Sequence, residues 1–365
     1  MHTSTLQIRI LIWPSLVYPF LVENQKRVMN LNRRKFLRNS TLAGGTILGI
    51  PSILLGQATA AAAEQGSSRK PIPVILATDI GDDIDDTWAL GFLLKCPELN
   101  LKLVATEYGK AQYRAKLLAK FLQTTGHAQV PVAVGPEAEP RGDGGQAAWV
   151  KDYDLRSYPG KVHSNGVQAI IDTIMRSREP VTVISIGPMP NLAAALAREP
   201  QIVKHARIVG MDGSVRLGYG GAPKPDAEWN VKAAPKAAQQ VLSAPWEITI
   251  TPLDTCGLVT LDGDRYARLL KSNDPVVRTI LENYRLWSSG QKDPTVAERH
   301  SSVLFDTVAV YLAFTHELCR MENLGIRVSD DGFTLIDEHA KRMEVATGWN
   351  TLDGYRDLLV NRLLG

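Results

Sequence analysis

From residue 73 onward, short apolar runs alternate with longer stretches in which apolar residues recur at helical spacing. The short runs are typical of buried strands, and the longer stretches are typical of amphipathic helices. We predict strands at residues 74–77, 101–105, 132–134, 181–186, 207–211 and 248–250, and helices at residues 86–95, 111–125, 167–177, 191–197 and 235–242. This alternation favours an α/β protein built on a parallel sheet.

The segments outside this alternation predict loops and a mostly helical end. Residues 135–160 are rich in glycine, proline and charge, and residues 213–225 are rich in glycine, so both predict surface loops. The last third predicts mostly helix as far as Leu318, then two strands and a closing helix from Gly354. We find no internal repeat and no linker that would divide the chain after residue 63 into separate domains. We therefore predict a single α/β domain over residues 64–365, with an open, mostly parallel sheet flanked by helices.

The first 63 residues look like a targeting segment rather than part of the fold. The pair Arg33-Arg34 precedes a moderately apolar, glycine-containing stretch at residues 41–56, and an alanine-rich run follows at residues 58–63. This layout is typical of a cleavable export signal, and the arginine pair resembles a twin-arginine (Tat) signal. Met29 lies just ahead of the pair, so we expect translation to start there.

This signal predicts that the protein leaves the cytoplasm. We expect the Tat export machinery to be a partner and the periplasm or the extracellular space to be the destination. The apolar stretch is shorter than the roughly 20 residues of a membrane-spanning helix, which favours cleavage. Anchoring to the membrane by an uncleaved signal remains the alternative.

Composition and charge make the remainder of the chain an ordinary globular protein. Hydrophobic residues make up 44% of the sequence and charged residues 22%. The first 63 residues contain seven Lys and Arg and one acid, so the rest has 34 basic and 37 acidic residues, a net charge of −3. This balance does not indicate a nucleic-acid partner. The three scattered cysteines do not suit a disulfide framework or a zinc site, and a homo-oligomer is left open.

Five aspartates lie within residues 79–86, directly after the first predicted strand and before the first helix. That is the carboxyl edge of an open α/β sheet, where ligands bind. Clustered carboxylates repel one another unless a cation or solvent separates them. Oxygen ligands of this kind suit Ca²⁺ or Mg²⁺ rather than zinc. Asp85 or Asp86 could alternatively cap the helix, but one aspartate would be enough for that role.

Four segments in sequence order resemble the motifs of the nucleoside hydrolase family, in particular those of its inosine- and uridine-preferring members. The first joins a strand to Asp79-Ile80-Gly81 and then to residues 85–90. The second is the strand and Gly-x-x-x-Asn turn at residues 181–191. The third is residues 227–230, Ala-Glu-Trp-Asn, and the fourth is residues 305–310, which begin Phe-Asp-Thr-Val-Ala. Two extra residues in the first segment leave open whether Asp82-Asp83 or Asp85-Asp86 is the family's aspartate pair, and the helix phase favours the latter.

The resemblance implies a metal-dependent N-ribohydrolase that cleaves the N-glycosidic bond of a small-molecule riboside. In the family the metal is Ca²⁺, and a metal-bound carboxylate takes a proton from the attacking water. The resemblance implies these roles for eight residues: Asp79 as the catalytic base, Asp79, Asp86, the Ile186 carbonyl and Asp306 as metal ligands, and Asp85, Glu228, Trp229 and Asn230 as substrate-binding residues.

Three departures from the family affect the side of the site that meets the leaving group. Phe305 stands where some members have a histidine that protonates the leaving base, and Ala222 stands where an asparagine is common. The end of the second strand reads Tyr108-Gly109-Lys110 in place of Gly-Asn. His163 lies in a loop-like segment, where a histidine is more often surface than catalytic. The metal half of the site is thus complete in the sequence, and the leaving-group half is altered.

Two other interpretations stay open beside the ribohydrolase. The protein could be a glycosidase of the same fold with another sugar substrate. It could also be a non-catalytic, calcium-dependent protein that binds a sugar or a nucleoside, because a missing leaving-group acid would matter little to a binder.

The export hypothesis predicts that Arg33→Lys combined with Arg34→Lys keeps the full-length protein in the cytoplasm, because the Tat route recognises the arginine pair. Cell fractionation followed by immunoblotting measures the distribution. Lys35→Arg in the same segment is the matched control and should be exported like the parent. Normal export of the double variant would contradict the hypothesis.

Overall fold

The computed structural model of the 365-residue chain describes residues 70–136 and 144–365. The predicted Tat signal, the start at Met29 and the boundary after residue 63 lie outside these residues and stay predictions. Within the described part of the chain, no helix is both long and apolar enough to cross a membrane.

The strands and helices follow the order that the sequence predicts. The strands are β1 Ile72–Thr78, β2 Leu99–Thr106, β3 Val132–Ala133, β4 Val162–His163, β5 Val181–Ile186, β6 Ala206–Met211, β7 Ile248–Thr251, β8 Cys319–Val328, β9 Thr334–Ile336 and β10 Arg342–Trp349. The α-helices are α1 Asp85–Leu94, α2 Ala111–Thr124, α3 Ala147–Val150, α4 Gly166–Arg176, α5 Pro190–Arg198, α6 Trp229–Ala233, α7 Pro235–Ser243, α8 Gly263–Leu270, α9 Pro275–Ser289, α10 Thr307–Leu312 and α11 Leu352–Leu364.

The strands form one open sheet in the order β4-β3-β2-β1-β5-β6-β7-β10-β8-β9. Neighbours from β4 to β10 run parallel, and β8 is antiparallel to both of its neighbours. The predicted single α/β domain with a mostly parallel sheet is therefore confirmed. The order reverses direction between β1 and β5, and a crevice at such a switch point is where open α/β sheets bind ligands.

Strand β1 is apolar along its length because helices cover both faces of the sheet. Val74 and Leu76 pack into the core beneath α1, α2 and α9, whereas Ile75 and Ala77 pack into the second core beneath α4, α5 and α7. In the first core, Trp88 of α1 is fully buried against the rings of Tyr266 and Tyr284. This packing fixes the end of β1 and the start of α1, the two points between which the aspartates lie.

The structure differs from the sequence-based expectation at weakly patterned segments. Three strands rather than two follow Leu318, because the chain turns at Gly332 and adds the short strand β9. The predicted loop at residues 135–160 contains the one-turn helix α3, and the two-residue strand β4 was not predicted. Elements this short have too few residues to show a hydrophobic period.

Candidate active site

A cavity of about 320 Å³ opens at the carboxyl ends of the central strands, beside the switch point between β1 and β5. Asp79 follows β1, Ile186 ends β5 and Met211 ends β6, while the other lining residues come from loops, helix starts and the end of α9. All eight predicted site residues line this one cavity: Asp79, Asp85, Asp86, Ile186, Glu228, Trp229, Asn230 and Asp306. The fold thus brings together residues separated by more than 200 positions in sequence.

Three buried carboxylates form a compact cluster on one side of the cavity. Asp85, Asp86 and Asp306 each offer an oxygen, and these oxygens lie within 4.8 Å of one another. Asp85 and Asp86 open α1, and Asp306 immediately precedes α10. Such a cluster of hard oxygen donors could hold a divalent metal ion.

These aspartates do not cap their helices. The N-cap residue of α1 is Ile84, and no side chain makes a capping hydrogen bond there. Asp306 occupies the N-cap position of α10, but its carboxylate does not bond to the helix backbone either. The Thr78 hydroxyl donates a hydrogen bond to the Asp86 carboxylate, which orients that side chain toward the cluster. The capping alternative is therefore wrong for these residues.

The other aspartate pair has different partners. The Asp82 carboxylate forms an ion pair with the Arg114 guanidinium at 2.8 Å. Asp83 accepts a hydrogen bond at 2.7 Å from the backbone N–H of Ile84. Both residues line the cavity but are exposed and lie outside the three-carboxylate cluster. This placement favours Asp85-Asp86 as the family's pair.

Asp79 is the first residue of the aspartate loop (residues 79–83), and it lies against the end of β5. Its Oδ1 lies so close to Gly187 that a Cβ at that glycine would be only 2.6 Å away. A larger residue at position 187 would thus push against the carboxylate. Arg114 donates to the Asp79 carbonyl on the other side. The carboxylate therefore projects into the cavity from a backbone that is fixed on both sides.

Burial and mutual repulsion disfavour negative charge on these side chains. Burial, followed by repulsion from neighbouring aspartates, raises the pKa values of Asp85, Asp86 and Asp306 well above their usual range. Burial also raises the pKa of Asp79 to about 6. A divalent cation would neutralise this repulsion, so the donor set and its charge both fit a bound metal ion.

The Glu228-Trp229-Asn230 segment also lines the cavity. The Glu228 carboxylate accepts from the N–H groups of Gly213 at 2.9 Å and Asn230 at 2.8 Å, which caps α6 and ties it to the end of β6. The Asn230 amide donates to the Met211 carbonyl at 2.9 Å. Burial raises the pKa of Glu228 to about 7. Trp229, whose surface is 37% exposed, lies at the rim.

Sequence reasoning missed four residues that line the same cavity, namely Met211, Tyr219, Trp287 and Gln291. The ring of Tyr219 packs edge-on against Phe305 with 6.1 Å between ring centroids, and its hydroxyl accepts from the N–H of Trp229 at 3.0 Å. Trp287 and Gln291 lie at and just beyond the end of α9, far from any motif. Only the tertiary fold brings them to the site.

Comparison with known proteins identifies the family. The sequence model described as inosine-uridine preferring nucleoside hydrolase matches residues 74–354. The chain belongs to the nucleoside hydrolase family. It is therefore a hydrolase of the class that acts on N-glycosidic bonds, and the family is metal-dependent.

Relatives and solved structures agree with this assignment. The non-specific ribonucleoside hydrolase RihC of Klebsiella pneumoniae is 32% identical over 226 residues, which cover 59% of this chain and 72% of the relative. A plant nucleoside hydrolase superposes with a TM-score of 0.67 at 22% identity, covering 81% of this chain and 99% of its own. A purine-preferring ribonucleoside hydrolase from Gardnerella vaginalis gives 0.66 at 22% identity, covering 80% and 98%. The two structures support the fold of this hydrolase.

The repulsion among the buried aspartates predicts a metal- and pH-dependent stability. Since folding raises the pKa of Asp79 from 3.8 to about 6, the metal-free folded state binds a proton that the unfolded chain has lost. Its stability therefore falls as the pH rises through this window. We expect the melting temperature of the EDTA-treated mature protein to be higher at about pH 5 than at about pH 7.5.

Added Ca²⁺ should raise the melting temperature more at the higher pH, where protons no longer compete for the carboxylates. Circular dichroism melts with EDTA or Ca²⁺ at both pH values measure the effect. Asp264→Asn, at an exposed position in α8, is the control and should melt like the parent. A calcium effect that is absent at both pH values would contradict this prediction.

Proposed function

We propose that this protein is a calcium-dependent N-ribohydrolase that releases the base of a nucleoside or a related riboside outside the cytoplasm. One observation carries the proposal. Asp79 and the cluster of Asp85, Asp86 and Asp306 line a single cavity together with Glu228 and Asn230, and its volume of about 320 Å³ is in the range of small-molecule sites. The RihC relative is named a ribonucleoside hydrolase, which agrees with this substrate class.

The donor set supports calcium as the metal. The cavity offers carboxylates from Asp79, Asp85, Asp86 and Asp306, and Ile186, whose carbonyl the family resemblance assigns as a ligand, also lines it. Among the described lining residues there is no histidine or cysteine, the ligands that zinc prefers. Ca²⁺ accepts six to eight oxygen ligands at flexible geometry, which suits both carboxylates and a carbonyl. Bound there, it would hold the hydroxyls of a sugar and lower the pKa of a nearby water molecule.

The residues around that ion then divide the work of hydrolysis. Asp79 accepts a proton from the attacking water as a general base. The carboxylate of Asp85 accepts a hydrogen bond from a sugar hydroxyl. As the N-glycosidic bond breaks, positive charge develops on the sugar ring, and the surrounding carboxylates stabilise it.

The far end of the sugar would lie against Glu228 and Asn230. Their backbone bonds hold both side chains in place before substrate arrives, which reduces the entropy lost on binding. No lysine, arginine or histidine lines the cavity within the described ranges. A cavity lined by acids and without cationic side chains favours a neutral riboside over a phosphorylated one.

The leaving-group side of the cavity is aromatic rather than acidic. Phe305 lies against Tyr219, and Trp229 lies at the rim, so the base would meet ring faces. Stacking can bind a base but supplies no proton. This arrangement also keeps a second candidate in view, a calcium-dependent nucleoside-binding protein without turnover. Release of ribose from a panel of nucleosides distinguishes the two functions.

The predicted export signal indicates the compartment in which this activity would take place. The twin-arginine pair supports Tat-dependent transport, so we infer that the hydrolase works in the periplasm or outside the cell. A substrate panel should therefore include ribosides available outside the cytoplasm.

Loss of a carboxylate from the metal half of the site should strongly lower activity. Asp79→Asn removes the base, and we expect kcat to fall by about 10²–10⁴-fold, the usual value of general-base catalysis. Asp306→Ala removes one cluster carboxylate, so calcium content measured by atomic emission should fall as well. Asp83→Asn is the matched control, since it changes a neighbouring aspartate outside the cluster and should leave calcium content unchanged. Full calcium content in Asp306→Ala would refute the assignment of this metal site.

The aromatic leaving-group side predicts a preference for substrates whose leaving group needs no proton. A nitrophenyl riboside should be cleaved much faster than inosine, because a missing general acid is worth about 10²–10⁴-fold for a poor leaving group. Initial rates at saturating calcium over a range of pH measure the ratio. Equal rates, together with a loss of inosine cleavage at high pH, would show that a proton donor is present.

A further inference from the structure

We propose that Arg114 is a positioning residue of the active site, which holds the aspartate loop in the geometry needed for calcium binding and catalysis. The inference rests on the proposed function and adds a residue that does not itself line the cavity. Arg114 lies on α2, behind the loop of residues 79–83, and is only 1% exposed.

The guanidinium joins the two loops that follow β1 and β2. Nη1 donates to the carbonyls of Asp79 and Ile80, the latter at 2.8 Å, and Nη2 donates to the Asp82 carboxylate at 2.8 Å. Nε donates to the Tyr108 carbonyl at 2.6 Å. One side chain thus fixes the backbone of the aspartate loop against the neighbouring β2–α2 loop.

The β2–α2 loop adopts an uncommon conformation that makes room for this contact. Tyr108 has a φ of 36°, the only positive value for a non-glycine residue in the described part of the chain. Such a backbone conformation is strained and persists where the surroundings require it. Gly109 follows at a φ of 77°, and a Cβ there would lie 2.7 Å from Nη2 of Arg114. The loop is therefore shaped around the guanidinium.

Stability alone does not account for a charge in this place. Burying a cation carries a large desolvation cost, and well-packed apolar residues often stabilise a core as well as or better than a buried ion pair. Its ion-pair partner Asp82 keeps 34% of its side chain exposed. The guanidinium instead donates most of its hydrogen bonds to backbone carbonyls of the loops that follow β1 and β2. Its planar fork can reach several acceptors at once, which a lysine ammonium cannot do in the same geometry.

The consequence for Asp79 is specific. Arg114 donates hydrogen bonds to the carbonyls of Asp79 and Ile80. Gly187 limits the space around the Asp79 carboxylate from the β5 side. Without Arg114 the loop loses one of these two restraints. Asp85, Asp86 and Asp306 lie at helix starts and should keep their places, as should Glu228 and Asn230. We therefore expect a loss in kcat and in calcium affinity, with little change in KM.

The test compares Arg114→Lys with Arg207→Lys in the mature protein, loaded with calcium for the kinetics and depleted of calcium for the binding calorimetry. Arg207 is the control because it is a half-buried arginine whose guanidinium donates to Thr182 Oγ1 at 2.9 Å and to the Ala313 carbonyl at 2.7 Å, away from the aspartate loop. Both variants should lose some thermal stability. Only Arg114→Lys should lower kcat by about tenfold or more and weaken calcium binding by calorimetry, while KM at saturating calcium changes by less than about threefold.

Each outcome decides the proposal. If Arg114→Lys melts at a lower temperature but binds calcium and turns over like Arg207→Lys, Arg114 is only structural and the proposal fails. If Arg114→Lys does not fold, Arg114→Gln takes its place, since its amide can still donate to a carbonyl; parent-like calcium affinity in that variant overturns the proposal. If the parent cleaves no riboside, the proposed function fails, and the calcium isotherms alone still decide the role of Arg114.

Discussion

Repulsion among buried carboxylates is the constraint on which the rest of this structure depends. Two unit charges 4.8 Å apart repel by about 3 kcal/mol at an effective dielectric constant of about 20. Three aspartates at that spacing, with Asp79 beside them, would disperse if their backbones were free. They stay together because each follows a buried strand or starts a helix that packs in the core. The fold holds the carboxylates in place, and a bound proton or cation must neutralise their negative charge.

The position of the cluster follows from the topology of the sheet. Strands β1 and β5 pair up to their carboxyl ends. The chain then leaves them toward opposite faces of the sheet, to α1 and to α5, which leaves a crevice between the two connections. Asp79 extends from β1, and Gly187 after β5 leaves room for its carboxylate. Asp306 comes from the far end of the chain, where it occupies an N-cap position without capping. A residue in that position gives up a hydrogen bond worth about 1 kcal/mol to its helix, so its availability to the cavity is consistent with a ligand role.

The sequence predicted the elements with a strong hydrophobic period and the residues that follow them. The strands at 181–186 and 207–211 were found because their buried runs are long, and Asp79 was found because it ends such a run. The missed features lack local signals. Strand β4 has two residues, Tyr219 lies in a glycine-rich loop, and the importance of Arg114 appears only when its hydrogen bonds to two loops are seen. A single arginine in an amphipathic helix looks like any solvated charge.

Positive charge at this site has two sources. One is the buried side chain of Arg114, which belongs to the protein, and the other is an exchangeable cation that would bind in the cavity. Arg114 lies behind the aspartate loop, where its charge shapes the backbone and reaches no substrate. The described lining of the cavity itself contains acids, amides and aromatic rings but no cationic side chain. Any positive charge that meets the sugar must therefore arrive with an ion from solution. The metal is therefore the exchangeable part of the site, and its supply would decide whether the site can work.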